Sequence, residues 1–163
     1  MLYLENDAVI SDCGKYRYLL RRVWDHSAMR GMLIMLNPST ADSYQDDATI
    51  RSCVRLLSSL GYGSMEVVNL MAWRATDPAD IPAKPSDAMG SNNPQIIEAA
   101  AGRCDTAICA WGAHPYAKRF VRGVLDVVSL YRPAAYCFGK TKAGAPKHPL
   151  YIKSGTPLET YKM

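Results

Sequence analysis

No apolar run in the 163-residue chain approaches the roughly 20 residues a helix needs to cross a bilayer. The opening stretch, MLYLENDAV, carries acids where a signal peptide has a basic segment followed by an apolar one. No targeting segment and no membrane partner are therefore expected, and the cytoplasm is the expected location. Close cysteine pairs are also missing. Cys13, Cys53, Cys104, Cys109 and Cys137 are odd in number and scattered, with no CxxC among them. That argues against a disulfide framework and against a zinc site. His26, His114 and His148 lack metal-ligand spacing, so neither a metal nor a cofactor is expected. There is no GxGxxG after the first long apolar run and no GxSxG elbow, and GKTKAG lacks the GxxxxGK[ST] spacing of a phosphate loop. Internal repeats and low-complexity linkers are absent too. The excess of positive charge is small, at +4 with a pI near 8.8. Such a charge permits a polyanionic partner without demanding one, since specific nucleic-acid domains are usually more basic.

What is present is an ordinary globular composition, 48% hydrophobic and 21% charged. The length suits a single domain over residues 1–163 that buries its own core. Residues 1–30 alternate apolar and polar positions in YLENDAVI and YRYLLRRVWD, which predicts an antiparallel strand pair joined by SDCGK. The core region, 31–152, has a different pattern. Four runs are apolar on consecutive positions: Met32–Leu36, Met65–Leu70, Thr106–Trp111 and Ala134–Phe138. Strands of a parallel sheet covered on both faces look like this.

Helical stripes lie between the runs. Ile50, Cys53, Val54, Leu57 and Leu60 form one, stopped by Gly61. Asn93-Pro94 opens a second, and Ala117, Phe120, Val121, Val124, Leu125 and Val128 mark a third. The expected fold is α/β: a three-layer α/β/α domain with a central, mostly parallel four-stranded sheet, preceded by the N-terminal pair. Residues 76–93, with three prolines, are expected as a long loop, and 153–163 as a tail.

Ligands bind outside the carboxyl ends of the strands in open α/β sheets. All four runs end in polar chemistry: NPSTAD, then Asn69 with LMAWRATDP, then WGAHP, then FGKTKAGAPKHPLY. If the strands are parallel, these clusters share one rim. Pro38, Ser39, Thr40, Asp46, Asn69, Trp73, Arg74, Trp111 and Gly112 are the candidates for ligand contact, with Asn37, Asp42 and His148 as candidates for chemistry. Each has a plain structural alternative. Asn37-Pro38 is a common turn, and Asp46 and Asp47 suit a helix cap. Arg74 suits an exposed ion pair, Trp111-Gly112 close packing, and His148 a surface loop.

LNPSTAD, DDATIR, GYG, VVNLMAWRATDP, AWG and GxPxHPLY together resemble the uncharacterised bacterial and phage family called domain of unknown function 1643, from about Tyr16 to Ile152. More distantly, the order of motifs is similar to the uracil-DNA glycosylase superfamily. That resemblance implies N-glycosidic hydrolysis of a flipped base, with Asn37 orienting water, Asp42 assisting if it points inward, Asn69 reading the base and His148 bonding the leaving base. It also implies DNA as partner, with Lys140, Lys142 and Lys147 on phosphates and Leu150 or Tyr151 as a wedge. Leu36 replaces the glycine that usually precedes the first motif. Tyr44 and Trp73 are the candidates for base stacking. Two other readings stand beside this one: an enzyme acting on a free or modified nucleotide or nucleoside, and a non-catalytic module that binds a nucleobase or nucleotide.

Overall fold

The computed structural model describes residues 2–162. Seven strands make one mixed sheet: β1 (Glu5–Ile10), β2 (Arg17–Val23), β3 (Met29–Met35), β4 (Tyr62–Asn69), β5 (Thr106–Cys109), β6 (Ala135–Cys137) and β7 (Glu159–Tyr161). Their order across the sheet is β1-β2-β4-β3-β5-β6-β7. The inner four, β4, β3, β5 and β6, pair in parallel. The sheet is therefore larger than the four strands expected. The N-terminal pair does not stand apart, because β2 pairs antiparallel with β4. Part of the expected tail adds β7 antiparallel to β6.

Four helices accompany the sheet: α1 (Ala48–Ser59), α2 (Pro85–Met89), α3 (Asn93–Arg103) and α4 (Val121–Ser129). The core divides into two apolar clusters, one on each face. Ile50, Cys53, Val54, Leu56 and Leu57 of α1 pack with Leu33, Met35, Val67 and Ile108. Ile97 and Ala100 of α3 and Val124, Leu125 and Val128 of α4 pack with Met32, Ile34, Val68 and Cys109. Alternate residues of β3 thus serve opposite faces, which is why the run shows no polar alternation.

Two sequence expectations shift. Residues 76–93 are not a bare loop. Asp77 caps a short 3-10 turn at Pro78–Asp80, and Pro85 starts α2, with its fixed φ suited to a first helical turn. The third apolar stripe is split between a 3-10 turn at Pro115–Arg119 and α4, with Phe120 between them.

The register decides where the rim lies. Met35 pairs with Asn69, Ile34 with Cys109, and Cys109 with Cys137. The carboxyl ends of the four parallel strands therefore finish at one level. Past those ends the ladder continues briefly: Leu70 N–H donates to Met35 O at 2.8 Å, and Met71 N–H to Leu36 O at 3.0 Å. That holds the NPST turn against the segment following β4.

Candidate functional site

A cavity of about 360 Å³ opens at this rim, within the range typical of small-molecule sites. Its wall combines Asn37 and Ser39 after β3, Asn69 at the end of β4, Trp111 after β5, His148 beyond β6, Arg17 of β2 and the first turn of α1. Widely separated parts of the chain supply these groups, and the parallel register brings them together.

Asn37 is fixed by its amide nitrogen. Nδ2 donates to Ala75 O at 2.8 Å and to Pro38 O at 3.1 Å. Both partners are carbonyls, so this end of the side chain must be the NH₂. The Oδ1 atom has no partner among the described residues and remains an acceptor. Pro38 is buried, and its carbonyl also accepts from Ala75 N–H at 2.9 Å. Ser39 Oγ faces Thr76 Oγ1 at 3.5 Å, and Thr76 also lines the cavity. Thr40 is exposed and is not part of the wall.

Asn69 is 1% exposed, and neither Nδ2 nor Oδ1 has a hydrogen-bond partner among the described residues. Its backbone carbonyl accepts from Asn93 Nδ2 at 2.9 Å, which ties the start of α3 to the end of β4. An unpartnered buried amide costs about 1–3 kcal/mol per group. A protein tolerates that where a ligand supplies the missing partners.

Asp47 is the acid that reaches the cavity. It is the N-cap of α1, and its Oδ1 accepts from Ile50 N–H at 2.8 Å. Asp42 turns back on its own loop, accepting from Tyr44 N–H at 2.8 Å and Gln45 N–H at 2.9 Å, and these bonds lower its pKa. Asp46 bonds Arg22 Nε at 2.9 Å and also accepts from Tyr3 Oη. Arg22 is a buried arginine, so Asp46 is committed as its counterion. Neither Asp42 nor Asp46 lines the cavity.

His148 caps the 3-10 turn at Pro149–Tyr151, with Nδ1 accepting from Leu150 N–H at 3.3 Å. An accepting Nδ1 carries no proton, so the neutral ring presents Nε2–H as a donor. Burial lowers the His148 pKa, and the charge of Asp47 acts in the opposite direction. Gly112 has φ +74° in the left-handed region, and a Cβ there would lie 3.7 Å from the His148 Cβ. The turn after Trp111 thus passes directly beside His148. Trp111 is buried and meets the Tyr161 ring edge-on at 5.4 Å between centroids.

The remaining candidates lie outside the wall. Trp73 packs against the Tyr16 ring, and Arg74 Nη1 donates to Gly14 O at 3.3 Å. Lys140 stands 4.0 Å from Glu159. Lys142 and Lys147 are exposed on the hairpin-like loop between β6 and His148. Tyr151 is exposed, and Leu150 is half-buried.

Two charged wall residues were not among the expected ligand contacts, Arg17 and Asp47. Asp47 looks like a helix cap, and it is one. Arg17 carried no clear signal, because its phase of the strand holds Arg21 as well as Leu19 and Val23, and the pairing with β1 shifts register between Leu19 and Arg17. It is 2% exposed. Among the described residues no cluster of three or more His, Cys, Asp or Glu side chains converges as a metal site. No helix among them is long and apolar enough to cross a membrane.

The model of a family described as protein of unknown function (DUF1643) matches residues 17–150. The chain belongs to the DUF1643 family. The matched span takes in every wall residue of the cavity, from Arg17 to His148. No curated protein and no solved structure matches the chain.

Proposed function

We propose that the rim cavity binds a nucleobase and that the protein hydrolyses the N-glycosidic bond joining that base to its sugar. The observation that carries this reading is the buried Asn69 carboxamide. It offers an NH₂ donor and a C=O acceptor side by side, and no described residue satisfies either. A heterocycle with an N–H next to a C=O, as in uracil or hypoxanthine, answers both at once. A site built on such a pair discriminates strongly, because a ligand lacking either group leaves the amide unpaired.

The other wall groups suit the same reaction. Asn37 Oδ1 can accept from a water and hold it beside the sugar. Asp47 lines the cavity and Asp42 does not, which supports Asp47 as the carboxylate that stabilises the positive charge developing on the sugar. Water oxygen bonds to C1′, the C1′–N bond breaks, and the electron pair leaves on the base. His148 Nε2–H donates to the base as that charge grows, and the proton lost by water ends on Asp47 or on the released base. In a duplex the nucleotide must first leave the stack to reach the cavity.

A free nucleotide or nucleoside is the second reading of the substrate. It is favoured by the modest charge of +4 and by Glu159, which stands 4.0 Å from Lys140 and offsets part of its charge. One experiment covers both. Oligonucleotides bearing uracil, hypoxanthine or a mismatch are incubated and cleaved with alkali, while nucleosides and nucleotides are assayed in parallel for released base. Base release that vanishes in Asn69→Leu is the expected result. Neither release nor binding of any base-containing probe, with the protein folded, would rule the reading out.

A further inference from the structure

Arg17 is the group that nucleobase recognition leaves unexplained. A buried guanidinium is costly unless it is paired and fully hydrogen-bonded. Among the described residues Arg17 makes one side-chain bond, from Nη1 to Ala41 O at 2.7 Å. Its Nε is buried without a partner, and no carboxylate stands within 4.0 Å of it among the described residues. The charges that act on it at longer range are Asp47 and Asp42, which favour its charged form, and Arg74 and Arg22, which oppose it. Asp42 is held by its own loop and Arg22 by Asp46. Burial lowers the Arg17 pKa to about 10, which leaves it cationic at neutral pH.

The same cavity is lined by Ala48 and Thr49, at the start of a 12-residue helix. Their N–H groups have no acceptor within the helix, and the helix dipole adds partial positive charge there. Asp47 caps Ile50 N–H and offsets part of that charge, but it does not pair with Arg17.

We propose that Arg17 and the first turn of α1 form an oxyanion subsite, so that the ligand of the cavity carries a phosphate as well as a base. A carbonyl oxygen would satisfy a hydrogen bond of Arg17 but would leave its charge uncompensated, whereas a phosphate satisfies both. The nucleoside part of this assignment rests on the nucleobase reading; the anion part stands without it. The phosphate belongs either to a free nucleotide or to a phosphodiester strand.

The test is calorimetric titration of the whole chain with inorganic phosphate, then with a nucleoside, its 5′-monophosphate and a short oligonucleotide, at matched ionic strength in chloride. Phosphate is expected to bind, and the monophosphate or the oligonucleotide to bind about ten- to a hundredfold more tightly than the nucleoside. Whichever of the two gains identifies the source. Arg17→Met should erase that ratio and spare the nucleoside. Ala48→Pro is the second variant. Asp47 already has the extended backbone required before a proline, and proline suits the first helical position. It removes one N–H and should weaken phosphate binding several-fold with the fold intact.

Phosphate binding that depends on Arg17, without any nucleoside binding, would sink the nucleobase reading and support the subsite. Nucleoside binding that depends on Asn69, with no gain from phosphate, would overturn the subsite alone. Equal loss of nucleoside and monophosphate in Arg17→Met would overturn it as well.

Discussion

At the scale of single residues, the cavity combines groups with structural duties and groups with none. Asp47 has both, and two substitutions separate them. Asp47→Ala removes the cap on Ile50 N–H and should cost about 1 kcal/mol, a fall in Tm of about 2–4 °C. Asp47→Ser keeps a capping oxygen and removes the charge, so stability should hold while base release falls. Thermal melts beside the release assay check this, and full activity in Asp47→Ser would show that the carboxylate has no role. His148 gives a pH signature. Burial depresses its folded-state pKa below the unfolded value near 6.5. As pH falls through that value the unfolded chain takes up the proton first, so the unfolded state gains relative to the folded one. The contribution of neutral His148 is present above the unfolded pKa. It is lost progressively as pH drops toward the depressed folded value. His148→Asn can still cap Leu150 N–H and cannot titrate. The stability difference between wild type and this variant should therefore change between pH 7 and 5, and a constant difference would place His148 in a less buried setting.

At the scale of elements, one tight approach shapes the sheet. Gly63 in β4 accepts from Trp24 and Asp25 N–H, both at 2.9 Å, and a Cβ at Gly63 would lie 2.0 Å from Asp25 O. A backbone oxygen cannot swing aside as a side chain can. Gly63→Ala should cost about 3 kcal/mol, read as a lower denaturant midpoint, because the turn between β2 and β3 must move off β4. A near-neutral change would mean that this turn is loose. Nothing in GYGSM announces that contact; it depends on where a distant turn lands. The four parallel strands, by contrast, were legible, because consecutive apolar residues have only one economical use in a covered sheet. So was the α1 stripe, whose buried positions match Ile50, Cys53, Val54 and Leu57. Arg17 and Arg22 misled. Alternation in YRYLLRRVWD predicts one strand of an N-terminal pair, yet β2 lies between β1 and β4 and nearly every residue on it is buried. Asp46 and the cavity account for the two arginines, and neither is local in sequence.

At the scale of the whole molecule, the cavity wall depends on a strand that sequence reading set aside. Glu159–Tyr161 offers only three residues, too few for an alternation pattern, and its place is fixed by pairing with β6. That pairing sets Tyr161 opposite Ala135 and brings its ring edge-on to Trp111, while Lys140 Nζ lies 5.9 Å from the same ring. Trp111 is thus held from behind by a residue fifty positions later, and it forms one wall of the cavity in front. Tyr161→Ala should lower stability by roughly 2 kcal/mol, from lost packing and the lost ring contact. Freed of that support, the Trp111 indole should sample other orientations. Cavity ligands should then bind more weakly than the stability loss alone explains, since the protein remains folded at the assay temperature. The affinity of Tyr161→Ala, measured well below its melting temperature, is the deciding quantity. A drop of about tenfold would make β7 part of the binding apparatus. Unchanged affinity beside the lowered stability would make it a brace for the sheet edge, with Trp111 held by the rest of the core.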